Sequence, residues 1–254
     1  MANTDRSLQP APKPWTVPSR GLAVFYGSGE TARLSHYFLP RLLLEGKRIL
    51  FLDGANSADP RLMARVARER GVAFEQFSRQ IQIARAFTCF QLTELIARVP
   101  RFLENFPAQV LIVTALPDLY FDGDVRDWDA RVAFEQALRD LRRYGGGDVL
   151  IAGRRSETAA TEMHGPRVGD HRSPLQLSVA VFCSAPNFTP APSRKRFFEQ
   201  TCAAATEVWK FSLGEEGRAK LLCTRSLPVA SGQVKPSAVS TQQKQTVPWL
   251  KADC

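Results

Sequence analysis

Five consecutive residues, Gly27, Ser28, Gly29, Glu30 and Thr31, have types and spacing suited to holding a phosphate. Glycines let backbone N–H groups turn toward one point, and a helix opening just beyond them adds the positive end of its dipole. A strand, a glycine turn and a helix in that order therefore make an anion cradle. The working form of such a loop is G-x-x-x-x-G-K-[ST], in which the lysine meets the outer phosphates and the hydroxyl holds magnesium. Gly29 and Thr31 fit this pattern, whereas Val24 stands at the first glycine and Glu30 at the lysine. Exchanging a cation for an anion beside a triphosphate removes an attraction and adds a repulsion, each about 4 kcal/mol at ~4 Å and an effective dielectric of ~20. At about 1.4 kcal/mol per tenfold in affinity, ordinary nucleotide binding is lost unless Glu30 points away. A strand-to-helix turn with no ligand explains the same residues.

Other combinations offer less. Ser28 within G-S-G-E lacks the G-x-S-x-G spacing of a nucleophile turn and has no assignable histidine partner. The three histidines, His36, His164 and His171, have no cysteine or second histidine at ligand spacing, so the sequence predicts no metal centre and no bound cofactor. Asp118, Asp122, Asp124, Asp127 and Asp129 could attract magnesium, but an exposed acidic loop capping the next helix accounts for them.

The elements that must position these residues follow from apolar patterning. Strands are expected at Leu22–Tyr26, Arg48–Asp53, Ile81–Ala84, Val110–Ala115, Val149–Ala152 and Leu177–Cys183, and the unbroken β-branched run VLIVTA suits the middle of a parallel sheet. Leu34, Phe38 and Leu42 define a helix that Pro40 should kink or split. A second helix, capped by Asp59 with Pro60 in its first turn, carries Leu62, Met63, Val66 and Ala67 on one side. Arg61, Arg65, Arg68 and Arg70 lie largely on its other side, and the simplest reading of that face is solvated surface. A helix bearing Leu92, Leu95, Ile96 and Val99 follows, then one from about Asp127 to Tyr144, stopped by Gly145, Gly146 and Gly147. Val208–Ser212 and Ala219–Cys223 flank Gly214-Glu215-Glu216-Gly217 as a β-hairpin.

Strands alternating with amphipathic helices and closed by a hairpin predict an α/β fold, a doubly wound, mostly parallel sheet with a C-terminal antiparallel hairpin. Ligands of such sheets sit beyond the carboxyl ends of the strands, here Tyr26–Gly27, Asp53–Gly54, Ala115–Leu116 and Gly153–Arg154. The expected organisation is a flexible proline-rich tail at 1–20 with Trp15 as its one docking residue, a core domain at 21–225, and a disordered tail at 226–254 in which Trp249 and Leu250 could dock.

At 254 residues and 44% apolar content, one full domain is the simplest count. The net charge of +9 leaves a basic core that suggests a polyanionic partner. Five cysteines without C-x-x-C spacing read as free thiols of a reducing cytosol. No apolar run approaches the ~18 residues of a membrane span, so no membrane partner and a cytoplasmic location are expected.

Several segments together resemble the RecA-like recombinases, most closely the archaeal and eukaryotic branch and its paralogues. FLDGANSADPRLMARVARERG resembles that family's strand, acidic turn and following helix, and IQIARAFTCFQLTELI is similar to its VARAF-x-x-x-x-Q-x-x-x-L block. VLIVTALPDLYF resembles the Walker B strand, AFEQALRDLRRY the next helix and VWKFSLGEEGRAKLLCTRSL the terminal hairpin, so the likeness spans roughly Gly21 to Ser226. The resemblance implies a RecA-like P-loop scaffold whose catalytic positions are altered. Glu30 stands at the phosphate lysine, Ala55 at the water-activating glutamate and Thr114 at the metal-coordinating aspartate. Loss of phosphate charge, general base and metal ligand leaves no route to hydrolysis, so the implication is a pseudo-ATPase. The implied role is an accessory in DNA recombination, repair or damage-induced mutagenesis, binding DNA, a recombinase or DNA polymerase subunit, or both, and nucleoid-associated if it binds DNA. A homo- or hetero-oligomer is compatible with that role. The family's DNA-contacting loop corresponds to the segment with Arg154, Arg155, Arg167 and Arg172, and the basic run Arg194-Lys195-Arg196 is a further candidate. Two other readings stand beside it: a regulator or enzyme whose glycine loop holds a ligand less charged than ATP, and a pure interaction scaffold.

Overall fold

The fold is taken from a computed structural model, which describes residues 18, 20–27, 31–69, 71–147, 177–186, 190–213, 219–226 and 244–246. Its strands are β1 (Leu22–Gly27), β2 (Ile49–Asp53), β3 (Ile81–Arg85), β4 (Val110–Thr114), β5 (Ser178–Ser184), β6 (Glu207–Leu213), β7 (Ala219–Ser226) and β8 (Lys244–Thr246). Its helices are α1 (Thr31–Leu44), α2 (Pro60–Glu69), α3 (Phe74–Arg79), α4 (Cys89–Ala97), α5 (Val99–Asn105), α6 (Asp127–Gly145) and α7 (Phe197–Ala204). The strands form one sheet in the order β3-β2-β4-β5-β1-β6-β7-β8. The first six in that order pair parallel, and β7 and β8 pair antiparallel at the end. The expected α/β class, the mostly parallel sheet and a C-terminal antiparallel pair, β6 with β7, are all present.

Alternation along the strands explains why both faces are covered. Leu22 and Val24 of β1, Leu50 and Leu52 of β2, and Leu111 and Val113 of β4 turn to one side, where they meet Leu92, Ile96, Phe134, Leu141 and Phe197 of α4, α6 and α7. Ala23 and Phe25, Ile49 and Phe51, and Val110 and Ile112 turn to the other, against Leu34, Phe38 and Leu42 of α1, Met63 of α2 and Phe77 of α3. Phe25 stacks on Phe182 of β5 with centroids 4.8 Å apart, locking the two central strands through their side chains as well as their ladder. At about 1.5–3 kcal/mol for each large apolar side chain withdrawn from water, these two layers carry the fold.

Three expectations are corrected. Of the two outcomes expected at Pro40 the split does not occur: helix α1 runs Thr31–Leu44 through this buried residue, whose missing N–H forfeits one bond to the carbonyl four residues back, while buried Leu39, Leu42 and Leu43 hold the last turn in place. The helix expected around Leu92–Val99 is two, with Arg98 between α4 and α5, and Pro100 suits the opening turn of the second. The tail expected to be wholly disordered contributes β8, which pairs with β7. The strand expected at Val149–Ala152, and Trp15, Trp249 and Leu250, lie outside the described residues.

The contact between α6 and β1 depends on the lack of a side chain. Gly145 closes α6, and a Cβ there would lie 2.9 Å from the carbonyl carbon of Gly21, whose N–H donates to Gly145 O at 3.0 Å. Alanine gains about 1 kcal/mol of helix propensity over glycine, but overpacking against backbone typically costs about 1–3 kcal/mol. Gly145→Ala is therefore expected to lower the denaturant midpoint despite its better propensity, as chemical unfolding followed by circular dichroism will measure.

Candidate functional site

The carboxyl ends of β1, β2, β4 and β5 lie side by side, since Asp53 is level with Thr114, Thr114 with Phe182, and Gly27 with Ser184. Of the glycine loop, Gly27 and Thr31 are described, whereas Ser28, Gly29 and Glu30 lie outside the described residues. Thr31 is fully buried at the first turn of α1. Gly27 has a packing role of its own: a Cβ there would lie 2.5 Å from Phe211 O on β6, so this position must be glycine whether or not a ligand binds nearby.

At the ends of β2 and β4 a fully buried carboxylate organises the site. Asp53 Oδ1 accepts from Ser57 N (2.9 Å), Ser57 Oγ (3.2 Å) and Thr114 Oγ1 (3.0 Å). Its Oδ2 accepts from Ala58 N at 2.8 Å and lies 3.8 Å from Arg85 Nε. Thr114 Oγ1 in turn accepts from Ala55 N at 3.1 Å. Arg85, at the end of β3, donates to Ala58 O at 2.8 Å. Positions 53, 55, 57, 58, 85 and 114 are thus one closed network. These protein donors compensate the burial of the Asp53 charge internally.

His36 extends the network to α1. Its Nδ1 lies 3.1 Å from Arg33 O and its Nε2 3.2 Å from Asp59 N. These partners define the neutral tautomer with hydrogen on Nδ1, which donates to Arg33 O while Nε2 accepts from Asp59 N–H. Burial holds the imidazole below its ordinary pKa, against the smaller opposing influence of Arg33 O, Asp53 and Asp59. Asp59 accepts from Arg61 N at 2.8 Å and so caps α2 as its sequence position suggested.

The acidic segment after β4 is built differently from the expectation. Asp118 is mostly buried; its Oδ2 accepts from Ser184 N at 2.9 Å, and desolvation pushes its carboxyl up. Asp122 Oδ1 accepts from Asp124 N at 3.0 Å, a local turn. Arg126 precedes α6 and no side chain caps that helix, although Asp127 and Asp129 occupy its first turn. Among the described residues no group of three or more His, Cys, Asp or Glu is placed to hold a metal ion.

The basic run is split. Arg194 is only 3% exposed, and its guanidinium donates to Asp127 Oδ1 at 2.8 Å through Nε and to the carbonyls of Tyr120, Asp122 and Val125. That arrangement anchors the loop before α7 to the turn before α6 and leaves no face for a phosphate, so Arg194 is corrected from a DNA-contacting candidate to an internal clamp. Its sequence neighbours Lys195 and Arg196 are exposed. Arg154, Arg155, Arg167 and Arg172 lie outside the described residues. Sequence reasoning did not anticipate the roles of Asp53, His36 and Arg194. The Asp53 turn has a local signal, an aspartate followed four residues later by serine, whereas the Arg194 clamp joins residues 67 apart and has none.

The four described cysteines, Cys89, Cys183, Cys202 and Cys223, form no disulfide, and burial pushes each thiol up, away from nucleophile character at neutral pH. Among the described residues no helix is long and apolar enough to cross a membrane. In comparisons with known proteins, no family model matches this chain and no curated protein matches it.

Because the folded pKa of His36 lies below its unfolded value of about 6.5, the unfolded chain binds more protons just below that pH, and folding stability falls as pH drops through this window. The His36 contribution is complete above about pH 6.5. In His36→Gln, whose amide does not titrate, the loss of urea midpoint between about pH 7 and pH 5 should be smaller than in the wild type. Equal losses in both proteins would remove His36 from the acid response.

Proposed function

We propose that the chain is a non-catalytic, RecA/recombinase-like accessory protein of DNA recombination, repair or damage-induced mutagenesis, acting by binding DNA, a recombinase or polymerase partner, or both, on a RecA-like P-loop scaffold. The observation that carries the non-catalytic part is Thr114. Its hydroxyl donates to Asp53 and accepts from Ala55 N at the carboxyl end of a central strand. By the resemblance this is where a metal-coordinating aspartate would stand, and Ala55 replaces the water-activating glutamate. A neutral hydroxyl committed to two protein partners supplies neither metal ligand nor base. The basic core and exposed Lys195 and Arg196 support the DNA-binding part.

Exposed aromatic side chains favour the protein-partner side of this reading. Phe87 (65% exposed), Phe90, Trp128 (68%) and Val132 present large apolar side chains on α4, on α6 and in the turn before α4. Arg131 lies over the Trp128 ring, and aromatic residues beside arginine are typical anchors of protein interfaces.

Purified protein is expected to show no ATP turnover, and Glu30→Lys should raise nucleotide affinity without restoring hydrolysis, because positions 55 and 114 still lack base and ligand. Phosphate release together with calorimetry on that variant is the test; robust hydrolysis, lost again on Thr31→Ala, would overturn the pseudo-ATPase reading. For DNA, replacing Arg154 and Arg155 by alanine should weaken binding to all sequences alike and flatten the slope of log K against log[salt] by roughly one or two units. Unchanged affinity and slope with the fold intact would move the contact elsewhere.

A further inference from the structure

We propose that the outer face of α2 is a second phosphate-contacting surface, on which Arg61, Arg65 and Arg68 bind the backbone of a nucleic acid; this rests on the DNA-binding reading above. The helix is anchored by Leu62, Met63, Val66 and Ala67, which are buried, and this fixes which side faces out. Arg61, Arg65 and Arg68 are exposed at spacings of four and three residues, so they form one stripe. Along the helix axis they span about 10 Å at ~1.5 Å per residue, while one DNA strand advances ~3.4 Å per phosphate. The stripe is therefore long enough to meet two or three phosphates.

The three outward arginines of α2 stand without an acidic partner among the described residues. Elsewhere Arg41 of α1 is matched by Glu45, Arg98, between α4 and α5, by Glu94, and Arg131 of α6 by Glu135, each four residues away. On α2 the residue four beyond Arg61 is Arg65, a like-charge repulsion that the helix bears with no structural return. Among the described residues none of the three guanidinium groups has an ion pair or hydrogen bond, Glu69 four beyond Arg65 included; the Arg61 contact to Asp59 is through its backbone N–H. Guanidinium groups held apart from carboxylates keep their fork free for bidentate phosphate contact.

Position favours the same occupant. The N-terminus of α2 is tied to the carboxyl-end rim, since Asp59 N–H meets His36 and Ala58 O accepts from Arg85. The stripe begins at that rim with Arg61 and runs away from it along the outside of the domain, so a strand bound at the carboxyl ends of the sheet can continue along α2.

The test is fluorescence anisotropy of the full chain with labelled single-stranded and duplex DNA between about 50 and 200 mM salt. Each lost phosphate contact removes about 0.9 from the slope on duplex and about 0.7 on single strands. The double variant Arg65→Ala with Arg68→Ala should therefore flatten the slope by about 1.8 and 1.4, making its loss of affinity over that salt range roughly tenfold smaller on duplex. Arg65→Lys with Arg68→Lys should keep most of the slope, and Arg98→Ala, taken from the paired arginine between α4 and α5, should change nothing. Wild-type binding with an unchanged slope in the alanine variant overturns the α2 surface and leaves the DNA-binding reading standing. Absence of DNA binding by the wild type at low salt overturns both. A loss on alanine that lysine does not recover overturns the phosphate assignment in favour of a shape-dependent contact.

Discussion

The central strands are covered on both faces. In β2 and β4 every residue is buried, and β5 and β1 are nearly so. Such strands can present nothing to solvent along their length, so among the described residues these four strands can bear chemistry in two places only. One is the rim where the strands end, and the other is the outward side of the covering helices. Asp53 and Thr114 at the rim, and the arginines of α2 on a helix, are the consequences of that single constraint.

At the rim, the fully buried Asp53 side chain has to be met by donors from the protein itself. An unpaired carboxylate with no exposure is among the costliest things a core can contain. Here four hydrogen bonds and a more distant guanidinium meet it, and three of the donors come from the turn that leads into α2. The carboxylate thus shapes the β2–α2 connection, which His36 then fastens to α1. The same logic governs the turn before α6, where Arg194 gathers three carbonyls and Asp127 around one buried guanidinium. In both cases a charged group binds the protein to itself.

Much of the fold was legible because period-two and period-3.6 apolar patterns report directly which face is buried. The strands at Leu22, Arg48, Ile81, Val110 and Leu177 lie within a residue or so of their expected positions, and the hairpin is in place. Short helices were missed where the pattern is too brief to register: α3 has six residues and one buried side chain, Phe77. At Pro40 the expected split does not occur, because the burial of its neighbours outweighs local propensity. At the site, positions 55 and 114 were singled out by the resemblance, whereas their meeting with Asp53 came only from the pairing of β2 with β4. The fate of Arg194 was not legible, because a basic triplet looks the same in sequence whether its first member points to solvent or into a turn 67 residues away.

The bond between Thr114 and Asp53 also bears on whether an aspartate could stand at position 114. An aspartate there would bring a second carboxylate to about the same 3.0 Å from Asp53, in a site with no solvent access. Two like charges at ~3 Å repel by about 5 kcal/mol even at an effective dielectric of ~20, and Ala55 N–H alone would not offset it. The surroundings of the hydroxyl therefore oppose a single exchange at 114: an aspartate there must either share a proton with Asp53 or wait until Asp53, or the turn it organises, has changed.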